Sequence, residues 1–169
     1  MSARPGMTAA WLPILLLVGL VAAAFPQTAP VPQPLQPAPE NKCPVCGMFV
    51  TEHMDFLAEI VFKDGACAFF DGVKDMLRFY FDVPAYAPSR SVADIAAIYV
   101  TDYYNLTLVD GRKAFYVIGS DVIGPMGREL IPLAGEREAS TFLKDHKGRS
   151  VLRFSDITAE IIKDIDRRT

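Results

Sequence analysis

The sequence predicts an α+β fold made of two ββα-like units, each a hairpin followed by a helix. Three observations predict it. Short runs rich in β-branched and aromatic residues recur along the chain. Two of them reach an Asp-Gly pair, Asp64-Gly65 and Asp110-Gly111, the dipeptide that favours a tight hairpin turn. Farther on, apolar residues change to helical spacing, as in Val73, Met76, Leu77 and Tyr80. The second half repeats this order loosely, as a pattern and not as sequence identity.

Residues 1–25 come first. Arg4 precedes an apolar run from Met7 to Phe25 that ends with Ala22-Ala23-Ala24. A positive start, an apolar centre and small residues at the end are the marks of a secretory signal peptide. The run is also about long enough to serve as an uncleaved membrane anchor. Either reading carries the rest of the chain across a membrane. No cysteine follows the run closely, so the usual lipid attachment point is not expected there. Residues 26–40 hold six prolines with Gln and Ala between them. That composition favours extended polyproline II and reads as a linker, either a stalk or a disordered lead.

A single globular domain is expected over 41–169. Residues 56–62 read as a strand, 63–65 as a turn and 66–70 as the returning strand. Asp71 is placed to cap a helix over 72–81, and Pro84 and Pro88 end that helix and open a loop. A strand follows over 95–104, continued or re-paired by 105–109, with Asp110-Gly111 as a second hairpin turn into a strand over 112–118. A Gly-rich loop spans 119–127, a short strand 129–133 and a helix 136–146 stopped by Gly148. A last strand over 151–154 and a last helix over 155–165 close the domain.

Composition removes some function classes. Half the residues (51%) are hydrophobic and 22% charged, which suffices for a core in one domain. The net charge of −3 and the sequence pI near 5.4 argue against a nucleic-acid partner, which calls for a basic patch. No Ser/His/Asp set is evident, and 119–127 lacks the Lys-Ser/Thr ending of a phosphate loop. No enzyme is predicted.

The chemistry concentrates in Cys43-Pro44-Val45-Cys46-Gly47-Met48. Two thiols two residues apart converge on one centre from a tight knuckle, Gly47 permits the left-handed backbone the knuckle needs, and Met48 adds a thioether. Thiolate and thioether are soft donors that select Cu(I), zinc or iron–sulfur centres. Met126, between glycines in Gly124-Pro125-Met126-Gly127, is a second thioether candidate. His53 and Cys67 are weaker candidates: a loop histidine is usually solvated, and Cys67 between Ala66 and Ala68 reads as a core thiol. Asp71 and Asp75 read as a cap and a solvated helix face. Three readings stay open at this point. One is a soft-metal carrier. A second is a thiol–disulfide exchange protein using the CxxC pair, though the strand-then-helix context of a thioredoxin-like motif is missing. The third is a structural zinc module, for which the sequence lacks an evident fourth ligand. A structural disulfide is the bland alternative.

The cysteine motif, followed by Phe69-Phe70-Asp71-Gly72, Thr101-Asp102-Tyr103, Tyr116-Val117-Ile118-Gly119-Ser120-Asp121, Gly124-Pro125-Met126-Gly127 and Glu129-Leu130-Ile131-Pro132, resembles the NosL family over about residues 41–165. The resemblance implies a periplasmic location or the outer face of the cytoplasmic membrane, often with a lipid anchor. It implies a fold akin to a domain of organomercurial lyase. The function it implies is a Cu(I) metallochaperone serving nitrous oxide reductase or another cuproenzyme, working with that copper-receiving reductase or an ABC-type assembly complex at the membrane. By position, the metal ligands it implies are Cys43, Cys46, Met48 and Met126. The family's histidine after its Met-Gly pair is replaced here by Arg128, so the full ligand set of the family is not reproduced.

Overall fold

A computed structural model describes residues 31–167; the expected signal peptide or anchor over 1–25 lies outside these. Among the described residues no helix is long and apolar enough to cross a membrane. The elements are antiparallel sheets and four helices: β1 Ala58–Phe62, β2 Cys67–Phe70, α1 Val73–Phe81, α2 Val83–Tyr86, β3 Ile95–Thr101, β4 Leu108–Asp110, β5 Phe115–Ile118, β6 Ile123–Gly124, β7 Gly127–Arg128, β8 Ile131–Leu133, α3 Glu136–Asp145, β9 Ser150–Arg153 and α4 Ala159–Arg167.

The first sheet runs β2-β1-β3-β4. Asp64-Gly65 makes the expected turn between β1 and β2, with Gly65 at φ +85° and Ala58 opposite Phe70. Because side chains alternate across a strand, Ala58, Ile60 and Phe70 share one face with Ile98 and Val100 of β3. This face carries the main core together with Val73, Met76 and Leu77 of α1 and Ile162 and Ile165 of α4. The second sheet runs β8-β5-β9. Tyr116 and Ile118 of β5 turn to the main core, while Val117 joins Ile131, Leu133, Ala139 and Phe142 under α3.

The second Asp-Gly turn departs from expectation. β4 and β5 do not form a hairpin: β4 pairs with β3, and β5 pairs with β8 and β9. Gly111 N–H donates to Ile98 O, and a Cβ on Gly111 would stand 2.8 Å from Ile98 Cγ2. The turn is thus closed onto the first sheet and passes the chain to the second. Pro84 also differs: it lies in the first turn of α2 instead of opening a loop, where its missing N–H has no partner to lose.

The linker's second half lies on the outer face of the first sheet. Tyr99 Oη donates to Pro32 O, and Leu35 N–H is shared between the two carboxylate oxygens of Glu59 at 3.0 and 3.1 Å. That face buries Val61, Ala97 and Tyr99 in a small cluster of their own.

Candidate metal centre

The cysteine knuckle is built by backbone bonds. Cys43 N–H donates to Met48 O and Gly47 N–H to Cys43 O, both at 2.9 Å. A bridge between Lys42 and Phe49 closes the loop. Gly47 sits at φ +81°, the left-handed conformation that only glycine adopts without strain. The loop turns N–H groups toward its own sulfurs, those of Val45 and Cys46 toward Cys43 and that of Met48 toward Cys46. Such contacts favour the thiolate.

Two carboxylates meet the two sulfurs. Cys46 Sγ donates to Asp71 Oδ1 at 3.2 Å, and Cys43 Sγ lies 3.7 Å from Asp75 Oδ2. One ligand atom from each of Cys43, Cys46, Asp71 and Asp75 lies within 4.8 Å of every other. Cys43, Asp71 and Asp75 are buried and Cys46 is half-buried. All three cysteines are free thiols. Asp75 Oδ1 is held by Arg78 at 2.5 Å. Asp71 Oδ2 is buried without a hydrogen-bond partner among the described residues. A buried carboxylate oxygen without a donor is costly, and this one belongs to a cluster of four groups that are anionic when deprotonated. A cation among them would relieve it.

The surroundings hold the protons on the sulfurs when no metal is bound. Burial, then the hydrogen bond and charge of Asp71, push the Cys43 thiol up from 9.0 to about 11, against the local N–H groups. Burial likewise raises Cys46, with Asp71 and Cys43 adding and the Met48 N–H opposing.

Sequence reasoning missed the two aspartates. Asp71 does not cap α1: the N-cap is Gly72, and the Lys74 N–H is met by Glu129 Oε1 at 2.7 Å. Asp71 is fully buried and Asp75 is 1% exposed, so neither belongs to a solvated face. The sequence carries no local signal for Asp75: Lys74, Asp75 and Arg78 fall together on the polar side of α1, and that side meets Met126 and Asp166, both distant in sequence. Asp71 stands one helical turn before Asp75.

The other predicted site residues are distributed as follows. Met48 is half-buried at the end of the knuckle. Met126 is 40% exposed at the turn between β6 and β7, where Gly124 pairs with Gly127. Its carbonyl is bound by Lys74 Nζ at 2.8 Å, which ties the turn to the helix carrying Asp75. His53 links two 3-10 turns before β1; its Nε2 is buried without a partner among the described residues. Cys67 pairs with Val61 on the sheet face opposite the α1 core and donates to Glu59 Oε1 at 2.9 Å. Burial, then Glu59, raises its thiol as well. Arg128 lies on β7 and donates to Ser120 O at 3.3 Å.

Comparison with known proteins gives a consistent set of relatives. The copper-binding lipoprotein NosL of Stutzerimonas stutzeri is 29% identical over 164 residues, spanning 90% of this chain and 81% of that protein. The copper-binding lipoprotein NosL of Achromobacter cycloclastes is 34% identical over 145 residues, spanning 78% of this chain and 70% of that protein. The crystal structure of the copper chaperone NosL from Shewanella denitrificans superposes with a TM-score of 0.67 at 25% identity, covering 78% of this chain and 99% of that one. The NosL family profile matches residues 34–162, and with these relatives beside it the chain belongs to the NosL family.

Proposed function

We propose that this chain is an extracytoplasmic copper chaperone that takes Cu(I) as cargo on Cys43 and Cys46, with Met48 and Met126 as thioether donors, and passes it to a copper-requiring partner. The observation that carries the reading is the buried Cys43/Cys46/Asp71/Asp75 cluster with its orphaned Asp71 oxygen. Copper binding and the chaperone role are in the names of the relatives. Their description as lipoproteins supports work at the outer face of a membrane, where nitrous oxide reductase or another cuproenzyme, or an ABC-type assembly complex, would receive the metal. Cu(I) is the form that thiolates and thioethers prefer. β1–β2–α1 supports the first unit of the two-unit ββα reading of the fold.

In the carrier's cycle, Cu(I) displaces the protons of the two thiols, and the Val45, Cys46 and Met48 N–H groups stabilise the thiolates so formed. An incoming sulfur or imidazole ligand adds on the side of the half-buried Cys46 before the buried Cys43 lets go. No bond in a substrate is made or broken, so the chain carries and does not catalyse.

The structural zinc reading gains one observation: Asp71 and Asp75 complete a four-ligand set that the sequence did not show. The exchange reading loses ground, because thiols raised by burial are poor nucleophiles. The test is an anaerobic titration of the reduced full-length protein with Cu(I) against a chromophoric chelator, beside a Cys43→Ser/Cys46→Ser double variant, with Zn2+ competing. One tight equivalent of Cu(I), absent in the double variant and undisplaced by zinc, supports the carrier. Displacement of Cu(I) by zinc would move the assignment to a zinc module.

A further inference from the structure

We propose that Lys74 is a positioning residue for metal binding. It fastens the Met126 turn to α1 and so fixes where that thioether stands relative to the cysteine–aspartate cluster. The proposal rests on reading Met126 as a ligand.

Lys74 follows the N-cap of α1 by two residues and precedes Asp75. It is 1% exposed, an unusual place for an ammonium unless its donors are met. Nζ has two acceptors: Asp166 Oδ1 of α4 at 3.2 Å and Met126 O at 2.8 Å. Arg78 also binds Asp166, at 2.5 Å, so the junction of α1 with α4 has a second cation. The contact with Met126 ties α1 to a loop that presents a thioether.

The base of the same hairpin is fastened to the same helix turn. Glu129, just past β7, is 2% exposed. Its Oε1 accepts from Lys74 N–H at 2.7 Å and Leu130 N–H at 2.8 Å. Two glycines make room for it: a Cβ on Gly72 would stand 2.4 Å from Glu129 Oε2, and one on Gly124 would stand 3.2 Å from both Cβ and Cγ of Glu129. β6 and β7 pair over only two residue pairs, too few to hold a hairpin rigid by themselves. Lys74 at the tip and Glu129 at the base supply that rigidity from the helix that bears Asp75.

The test uses full-length reduced protein and the Cu(I)–chelator titration on wild type, Lys74→Gln, Met126→Ala, the double variant Lys74→Gln/Met126→Ala, and Asp166→Asn. X-ray absorption at the copper edge counts sulfur neighbours. Met126→Ala and Lys74→Gln should each weaken binding on the order of tenfold, the usual scale for a ligand's supporting contact. Each should also lose one sulfur neighbour, and the double variant should bind no worse than Met126→Ala. Asp166→Asn, which breaks the ion pair and leaves the Met126 contact, should keep the wild-type sulfur count. If Lys74→Gln does not fold, Gly124→Ala serves instead, since it displaces the hairpin against Glu129, and its loss should likewise vanish in the Met126→Ala background. Lys74→Gln with wild-type affinity and sulfur count overturns the proposal. Losses that add fully in the double variant overturn it too, as they mark a general structural role. An unchanged Met126→Ala removes Met126 as a ligand and the proposal with it, while leaving the cysteine site standing.

Discussion

Proton competition at the sulfurs has a measurable size. The Cys43 thiol is raised from 9.0 to about 11 by burial and by Asp71. A shift of two units corresponds to about 2.7 kcal/mol between the protonated and ionised forms. Under the proposed function Cu(I) must displace that proton, so at neutral pH its hold on Cys43 should be about a hundredfold weaker than on an ordinary thiol of equal intrinsic affinity. With both thiols protonated, affinity should climb about a hundredfold per pH unit, one factor of ten for each proton released. The discriminating region lies above the ordinary thiol value of 9.0, where the Cys43 contribution should keep rising until about 11. The folding linkage has the opposite sign. The folded value lies above the unfolded one, so the stabilisation is complete below 9.0 and is lost as pH rises through about 11. The assay is Cu(I) affinity against a chelator of known pH dependence, with ultraviolet absorbance of the thiolate on the apo protein and Cys43→Ser as reference. A Cys43 thiolate signal that is complete by pH 9, or an affinity that levels there, would refute the reasoning.

Other substitutions separate the parts of the structure. Asp71→Asn removes the carboxylate that accepts from Cys46 and raises Cys43, so both thiols should ionise at lower pH by thiolate absorbance, and metal affinity should still fall on the order of tenfold. Gly72→Ala puts a Cβ 2.4 Å from Glu129 Oε2; displacing that buried carboxylate from the start of α1 should cost about 1–3 kcal/mol by urea unfolding. Tyr99→Phe deletes the hydroxyl bound to Pro32 O, which should lower stability by about 1 kcal/mol and speed hydrogen exchange at Leu35 while leaving Cu(I) affinity unchanged.

Local signals carried the sequence reading a long way. The Asp64-Gly65 turn, the spacing of Val73, Met76, Leu77 and Tyr80, and the left-handed Gly47 each depend on a few neighbouring residues, and each appears in the structure. What was not legible depends on distant partners. Asp110-Gly111 looks like a hairpin turn, yet Ile98 holds it to one sheet while β8 and β9 take up β5. Asp71 looks like a helix cap because caps are local, but Glu129, far along the chain, takes the Lys74 N–H. That substitution frees the Asp71 carboxylate for the cysteines. Likewise, a Pro-rich linker gives no local hint that Leu35 N–H will meet a carboxylate on β1.

The same burial that makes Cu(I) compete with protons bears on how the thiols endure where the carrier is proposed to work. In an oxidising compartment the thiolate is the species that attacks disulfides, and a thiol held far above ambient pH is almost wholly protonated. Cys43, pushed up to about 11, and Cys46, raised likewise, should therefore oxidise slowly when empty. Under the proposed function, Cu(I) ionises the pair only as it binds, and the knuckle N–H groups are already turned toward the sulfurs. A carrier built this way exchanges affinity at neutral pH for reduced, reusable ligands. Reaction of the apo protein with a small disulfide should accordingly be slower than that of an unstructured peptide carrying the same Cys-Pro-Val-Cys segment, and Asp71→Asn should speed it. Equal rates for protein, variant and peptide would show that burial gives the thiols no protection.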